Sequence, residues 1–176
     1  GELEGAVVTT TGISDIARSL LVLQLPGLFP DYAALDRVRA ALDGEFRDAM
    51  GKGGFTLMGW SDLGRARIFS NREVHLPTDL KGLRTWAWRD DVVFPEFLSL
   101  VGAKAQRLEM NEVLPALEKG TVEAFPASAL AAVSLQWFHH AKFVTQQSDS
   151  VVVGATVLRK EKVDALPADL RAKLME

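Results

Sequence analysis

Two short stretches carry side chains able to hold an anion. The first is Arg65-Ala66-Arg67-Ile68-Phe69-Ser70, the second Leu83-Arg84-Thr85-Trp86-Ala87-Trp88. Side chains on a strand alternate between faces, so Arg65, Arg67 and Phe69 share one face, as do Arg84, Trp86 and Trp88. An arginine fork gives a carboxylate two charge-assisted bonds, and an indole beside it offers apolar area with one N–H donor. Such a pair of strands suits a wall that meets a ligand. It equally suits an edge whose long side chains lie flat over a neighbouring helix. Pro77, Asp79 and Gly82 supply turn chemistry between the two strands.

Other candidates are weaker. Thr10 and Trp60 each sit where a predicted strand ends, the side on which open α/β sheets bind ligands. Asp90-Asp91 reads as a helix start, where carboxylates meet the positive end of the dipole, rather than as an acid–base pair. His139-His140 are neighbours that point to different faces of a helix, so a shared metal is not expected. Gly51-Lys52-Gly53-Gly54 lacks the lysine–serine/threonine ending of a phosphate loop and reads as a helix stop. No serine lies in a nucleophile elbow. The sequence therefore predicts neither catalysis nor a metal or other cofactor.

Composition excludes further classes. In 176 residues, 48% are apolar and 24% charged, the balance of a globular protein with a real core. A net charge of -3 gives no footprint for nucleic acid. Without cysteine there is no disulfide and no thiolate chemistry. Residues 1–4 lack the charged and apolar regions of a secretory leader, and no apolar run is long enough to span a bilayer.

Positioning these residues requires an alternation of strands and helices. Strands are expected over 5–10, 55–60, 63–71, 83–88, 103–110, 122–126, 141–146 and 150–158. Helices are expected from Ser14, from Asp31 to Met50, from Asp90 to Val101, over Glu112–Lys119 with Asn111 as cap, over Ser128–His140, and after Pro167. This order argues for an α/β protein with mostly parallel sheets.

Several segments also resemble one family in order and spacing. Asp79-Leu80-Lys81-Gly82-Leu83-Arg84 resembles the "DLKGLK" signature of the solute-binding proteins of TRAP (tripartite ATP-independent periplasmic) transporters. Leu25-Pro26-Gly27-Leu28-Phe29 resembles their "LPFLF", and Arg67-Ile68-Phe69-Ser70-Asn71 their "R-x-F-T-N". Val101-Gly102-Ala103, Glu112 to Ala124 and Leu166-Pro167-Ala168-Asp169-Leu170 resemble "LGA", "EVYxALQxGVVDG" and "LPxxLQ".

The resemblance implies a periplasmic-binding-protein-like fold of type II style, incomplete here and corresponding to the middle of such a protein. Residues 1–84 would form the first α/β lobe, 85–147 the second, and 148–176 a return to the first. It implies a periplasmic, non-enzymatic protein that captures a small molecule between its lobes and passes it to membrane transporter subunits. In that family two arginines hold a substrate carboxylate. Arg67 matches the first, whereas Trp86 stands at the second, and Phe125 and Ser128 fall where the family carries polar pocket residues. These departures predict a ligand more apolar than a dicarboxylate: a lipid, a sterol-like molecule, or an aromatic compound or monocarboxylate. Arg67, Trp86, Trp88, Arg84, Phe125, Ser128, Thr10 and Trp60 are the expected ligand-binding residues, with Arg84 compensating for the missing second arginine. The alternative is a degenerate relative that binds another protein and no small molecule.

Overall fold

The computed structural model describes residues 3–148 and 150–175. The first strand β1 (Gly5–Thr9) runs directly into α1 (Thr10–Ile16). After a 3-10 segment (Arg18–Gln24) come α2 (Tyr32–Lys52), β2 (Phe55–Trp60) and β3 (Arg65–Ser70). A 3-10 turn (Pro77–Leu80) leads to β4 (Arg84–Trp88), α3 (Phe94–Leu100), β5 (Lys104–Leu108), α4 (Met110–Glu118) and β6 (Ala124–Ala127). Then follow α5 (Ala129–Ser134), a 3-10 segment (Trp137–His140), β7 (Phe143–Val144), β8 (Ser150–Val151), β9 (Gly154–Arg159), α6 (Lys160–Asp164) and α7 (Ala168–Met175).

The chain divides into two compact α/β units. One comprises residues 1–62 and 152–176, the other 63–151. The sequence reading drew the first boundary after Arg84. The structure draws it after Asp62, because β3 forms its ladder with β6, from Arg67–Ala127 to Ser70–Ala124.

In the first unit, β9 lies between β1 and β2 and runs antiparallel to both. The expectation of mostly parallel sheets fails here for a topological reason. β1 and β2, separated by helices, do run the same way, but a strand returning from the second unit inserts between them in the opposite sense. Helix α2 lies against this sheet. Asp31 caps it, accepting from Ala34 N at 2.7 Å, and its buried stripe is Leu35, Arg39, Phe46 and Met50. Arg39 is the unexpected member. Its guanidinium grips Asp62 with both terminal nitrogens, Nη1 to Oδ2 at 2.9 Å and Nη2 to Oδ1, and lies 4.8 Å from the centre of the Trp60 ring. A charge so deeply placed is tolerated because it is paired and bonded.

In the second unit the sheet order is β5-β4-β6-β3-β7, with β8 pairing β3. Strands β5, β4 and β6 are parallel, and β3 is antiparallel to β6, β7 and β8. One face packs α3 through Phe94 and Leu98 against Ile68, Leu83, Ala87 and Ala124. The other packs α4 and the Trp137 turn against Trp86, Phe125 and Ala127. Gly82, at φ 77°, occupies the left-handed region that closes the turn into β4, where its N–H donates to Gly102 O at 2.8 Å.

Several local expectations shift. Helix α1 starts at Thr10 rather than Ser14, whose hydroxyl instead donates to Thr11 O at 2.6 Å. Helix α4 is capped by Glu109 and Glu112 in a capping box, not by Asn111. The helix expected over Ser128–His140 breaks at Gln136, whose φ of 59° ends α5. The strand expected over 150–158 is two strands, β8 in one unit and β9 in the other.

Candidate functional site

In the second unit several of the expected residues gather at one end of the sheet. Its parallel strands β5, β4 and β6 end on one side, and the helices that follow β4 and β5 lie on opposite faces of the sheet. Ligands of open α/β sheets bind at the carboxyl ends of strands where this switch of faces occurs.

The register places side chains across that end. Arg67 of β3 is opposite Ala127 of β6. Counting on from the Thr85–Ala124 pair, Trp88 of β4 comes level with Ala127 from the other side. Arg67 alternates with buried Ala66 and Ile68, so it shares the face of Phe69, which stacks on Phe125 at 5.2 Å. Trp88 packs against the same cluster. Arg67 and Trp88 therefore flank a small residue on one face, two strand spacings or roughly 10 Å apart. Ser128 follows directly; it is buried and accepts from Ala131 N at 3.2 Å as the cap of α5.

Arg67 is held by main chain rather than by an acid. Its Nη1 donates to Thr145 O at 2.8 Å and to Gln146 O. Among the described residues no carboxylate pairs with it. A guanidinium fixed by neutral carbonyls keeps its full charge for an incoming anion.

The other expected residues are differently employed. Trp86 is 6% exposed, lies 5.1 Å from Trp137 edge-on, and donates its indole N–H to Leu108 O at 3.1 Å. It is a core residue, one row further into the sheet, with its donor already used. Phe125 shares that row at 1% exposure. Arg84, expected to compensate for the missing arginine, is engaged by its own neighbours. It bonds Gly120 O and Thr121 O and pairs with Glu123 at 3.1 Å. Glu123 is four residues before Ala127, so Arg84 sits about 13 Å along the strand from the level of Arg67.

Thr10 and Trp60 belong to the first unit. Thr10 sends both its main-chain N–H and its hydroxyl to Val153 O at 2.9 Å. Trp60 lies between Arg39 and Phe46, whose ring is 5.9 Å away edge-on. The helix expected from Asp90 begins at Phe94; Asp91 precedes it and accepts from Val93 N at 2.8 Å and Phe94 N at 3.2 Å. Among the described residues no cluster of His, Cys, Asp or Glu is suited to a metal, and no helix is long and apolar enough to cross a membrane.

Sequence reasoning missed Thr145, Gln146 and Glu123. The first two act on Arg67 through main-chain carbonyls, which carry no residue signature. Glu123 was legible only as part of the strand expected over 122–126.

A C4-dicarboxylate-binding periplasmic protein DctP of Vibrio cholerae is 23% identical over 172 residues, 97% of this chain and 52% of that protein. The fold matches a TRAP periplasmic solute binding protein from Pseudomonas aeruginosa PAO1, solved with bound L-malate, at a TM-score of 0.90 and 22% identity over 99% of this chain and 61% of that one. It also matches a Bordetella pertussis extracytoplasmic solute receptor binding pyroglutamic acid, at a TM-score of 0.90 and 19% identity over 99% and 57%. The chain thus spans about half the length of the curated relative it matches. The model of the DctP family, bacterial extracellular solute-binding protein family 7, matches residues 1–176, and the chain belongs to that family.

Proposed function

We propose that this chain is the ligand-binding part of an extracytoplasmic solute receptor of a TRAP-type transport system. It captures a small organic acid through one carboxylate and delivers it to membrane transporter subunits from the periplasm, without catalysis. The observation that carries this reading is Arg67, a cation held by two main-chain carbonyls at the carboxyl end of the parallel strands.

The ligand differs from the one the sequence suggested. The apolar cargo was inferred from Trp86, and Trp86 is packed in the core with its N–H bonded to Leu108 O. The relatives named above bind C4-dicarboxylates, L-malate and pyroglutamic acid. Lipid and sterol-like ligands therefore have no remaining support. A single carboxylate is favoured over two because Arg84 is neutralised by Glu123 and lies at the far end of the strand. Trp88 then offers its ring to the body of the ligand.

Titration calorimetry of the full-length protein with pyroglutamate and L-malate tests this. Pyroglutamate is expected to bind more tightly than malate, and Arg67→Met to weaken it by roughly a hundredfold, the loss of a bidentate charged contact. Binding unaffected by Arg67→Met overturns the anchor. Absence of binding to either acid overturns the reading in favour of a protein-interaction module.

A further inference from the structure

We propose that Thr145 is a positioning residue for Arg67: its hydroxyl turns the chain so that consecutive carbonyls converge on one guanidinium nitrogen and present the opposite edge to a carboxylate. The inference rests on the reading of Arg67 as the anion anchor.

Strand β7 ends at Val144, paired with Phe69. The next residue, Thr145, would ordinarily continue the ladder by exchanging both main-chain bonds with Ile68. It makes only one of them. Thr145 N donates to Ile68 O at 2.9 Å, but Ile68 N donates to the Thr145 hydroxyl, at 3.0 Å, in place of the Thr145 carbonyl. The same hydroxyl donates to Gln147 O at 2.9 Å, which bends the chain through the following residues.

The displaced Thr145 carbonyl accepts from Arg67 Nη1 at 2.8 Å, and Gln146 O accepts from the same nitrogen. Both hydrogens of Nη1 are then used. Of the remaining three donors of the guanidinium, Nε–H and one Nη2–H lie along its Nε–Nη2 edge. Among the described residues no acceptor holds that edge. A planar fork locked in this way loses little rotational freedom when a carboxylate docks side-on.

The test uses the full-length protein with pyroglutamate and L-malate as probes. Thr145→Val keeps the shape and removes the hydroxyl, so Ile68 N–H loses its acceptor and the carbonyl returns to the ladder. Affinity for the tighter acid is expected to fall roughly tenfold, the scale of one lost hydrogen bond, with Thr145→Ser restoring it to within about threefold. Combined with Arg67→Met, Thr145→Val is expected to cost no further affinity. An unchanged affinity in Thr145→Val, or an equal loss in the Arg67→Met background, overturns the positioning role while leaving Arg67 as anchor. Loss of all binding by the wild type, or indifference to Arg67→Met, overturns the anchor itself. Should Thr145→Val fail to fold, the ligand-free wild type decides: separate Nη1 and Nη2 resonances for Arg67 support the cradle, and a single averaged resonance refutes it.

Discussion

Arg84 and Glu123 satisfy each other at the amino end of β4. Nη2 lies 3.1 Å from Oε1, and the Arg84 main-chain N–H donates to Oε2 at 3.1 Å. An arginine that shares a sheet face with Arg67 thus has its charge already met and stands at a different level of the sheet, so the proposed reading leaves it out of the ligand contacts. We expect Arg84→Ala to leave acid affinity within about twofold, as distant independent sites do. Stability should drop by about 1 kcal/mol or less, since the side chain is 44% exposed and solvent screens the pair. Calorimetry and urea unfolding on the same variant check both halves. A tenfold loss of affinity would return Arg84 to the site.

Trp86 should behave as a core residue. Its ring meets Trp137 edge-on at 5.1 Å and Trp88 at 5.9 Å, and its N–H donates to the part-buried Leu108 O at 3.1 Å. Trp86→Ala is expected to destabilise the second unit by about 3–5 kcal/mol through the cavity and the orphaned acceptor. Trp86→Phe should lose less, with ligand affinity preserved. Denaturant unfolding monitored by fluorescence measures the first, calorimetry the second. Trp88→Ala should show the reverse pattern: little stability lost and weaker binding.

The Arg39–Asp62 ion pair in the first unit makes a separate prediction. Arg39 is 6% exposed and its acid partner Asp62 ends the segment that leaves β2. Asp62→Ala leaves the Arg39 guanidinium with Asp36, 3.4 Å from Nη1, as its remaining acid partner, so a loss of about 1.5–3 kcal/mol is expected. Replacing both partners, Arg39→Met with Asp62→Leu, should recover most of it. Thermal and chemical unfolding of the three variants test this, and an additive double variant would contradict it.

Acid should loosen the turn before β4. The Asp79 carboxyl lies below its ordinary value of 3.8, first because Leu76 N–H and then because His75 N–H donate to it. A carboxyl lowered on folding stabilises the folded turn above its unfolded value and loses that contribution as pH falls through the lowered folded value. Hydrogen exchange at His75 and Leu76 should therefore accelerate below about pH 3.8. In Asp79→Asn the exchange should be faster at neutral pH and lack that acid step.

Part of this protein was legible in its residues alone. Alternation in Arg65–Ser70 and Arg84–Trp88 gave both strands and the side each residue faces, because a period of two needs no tertiary knowledge. The Asp31 cap, the Asp91 carboxylate that precedes α3 and the glycine turn at Gly82 were likewise local chemistry. Motif order identified the family.

What only the tertiary structure decided was level and partnership. Strand direction in the first unit depends on β9 inserting between β1 and β2, a contact some hundred and fifty residues apart in sequence for Val8 and Ala155. Arg67 and Arg84 look equivalent as residues on a face. The pairing of β3 and β4 with β6 sets one opposite Ala127 and the other beside Glu123. Trp86 and Trp88 are two positions apart on one strand, yet the turn carrying Trp137 packs onto the first. Long-range register and helix placement, which no local pattern encodes, separated the half-buried tryptophan at the strand end from the one packed in the core.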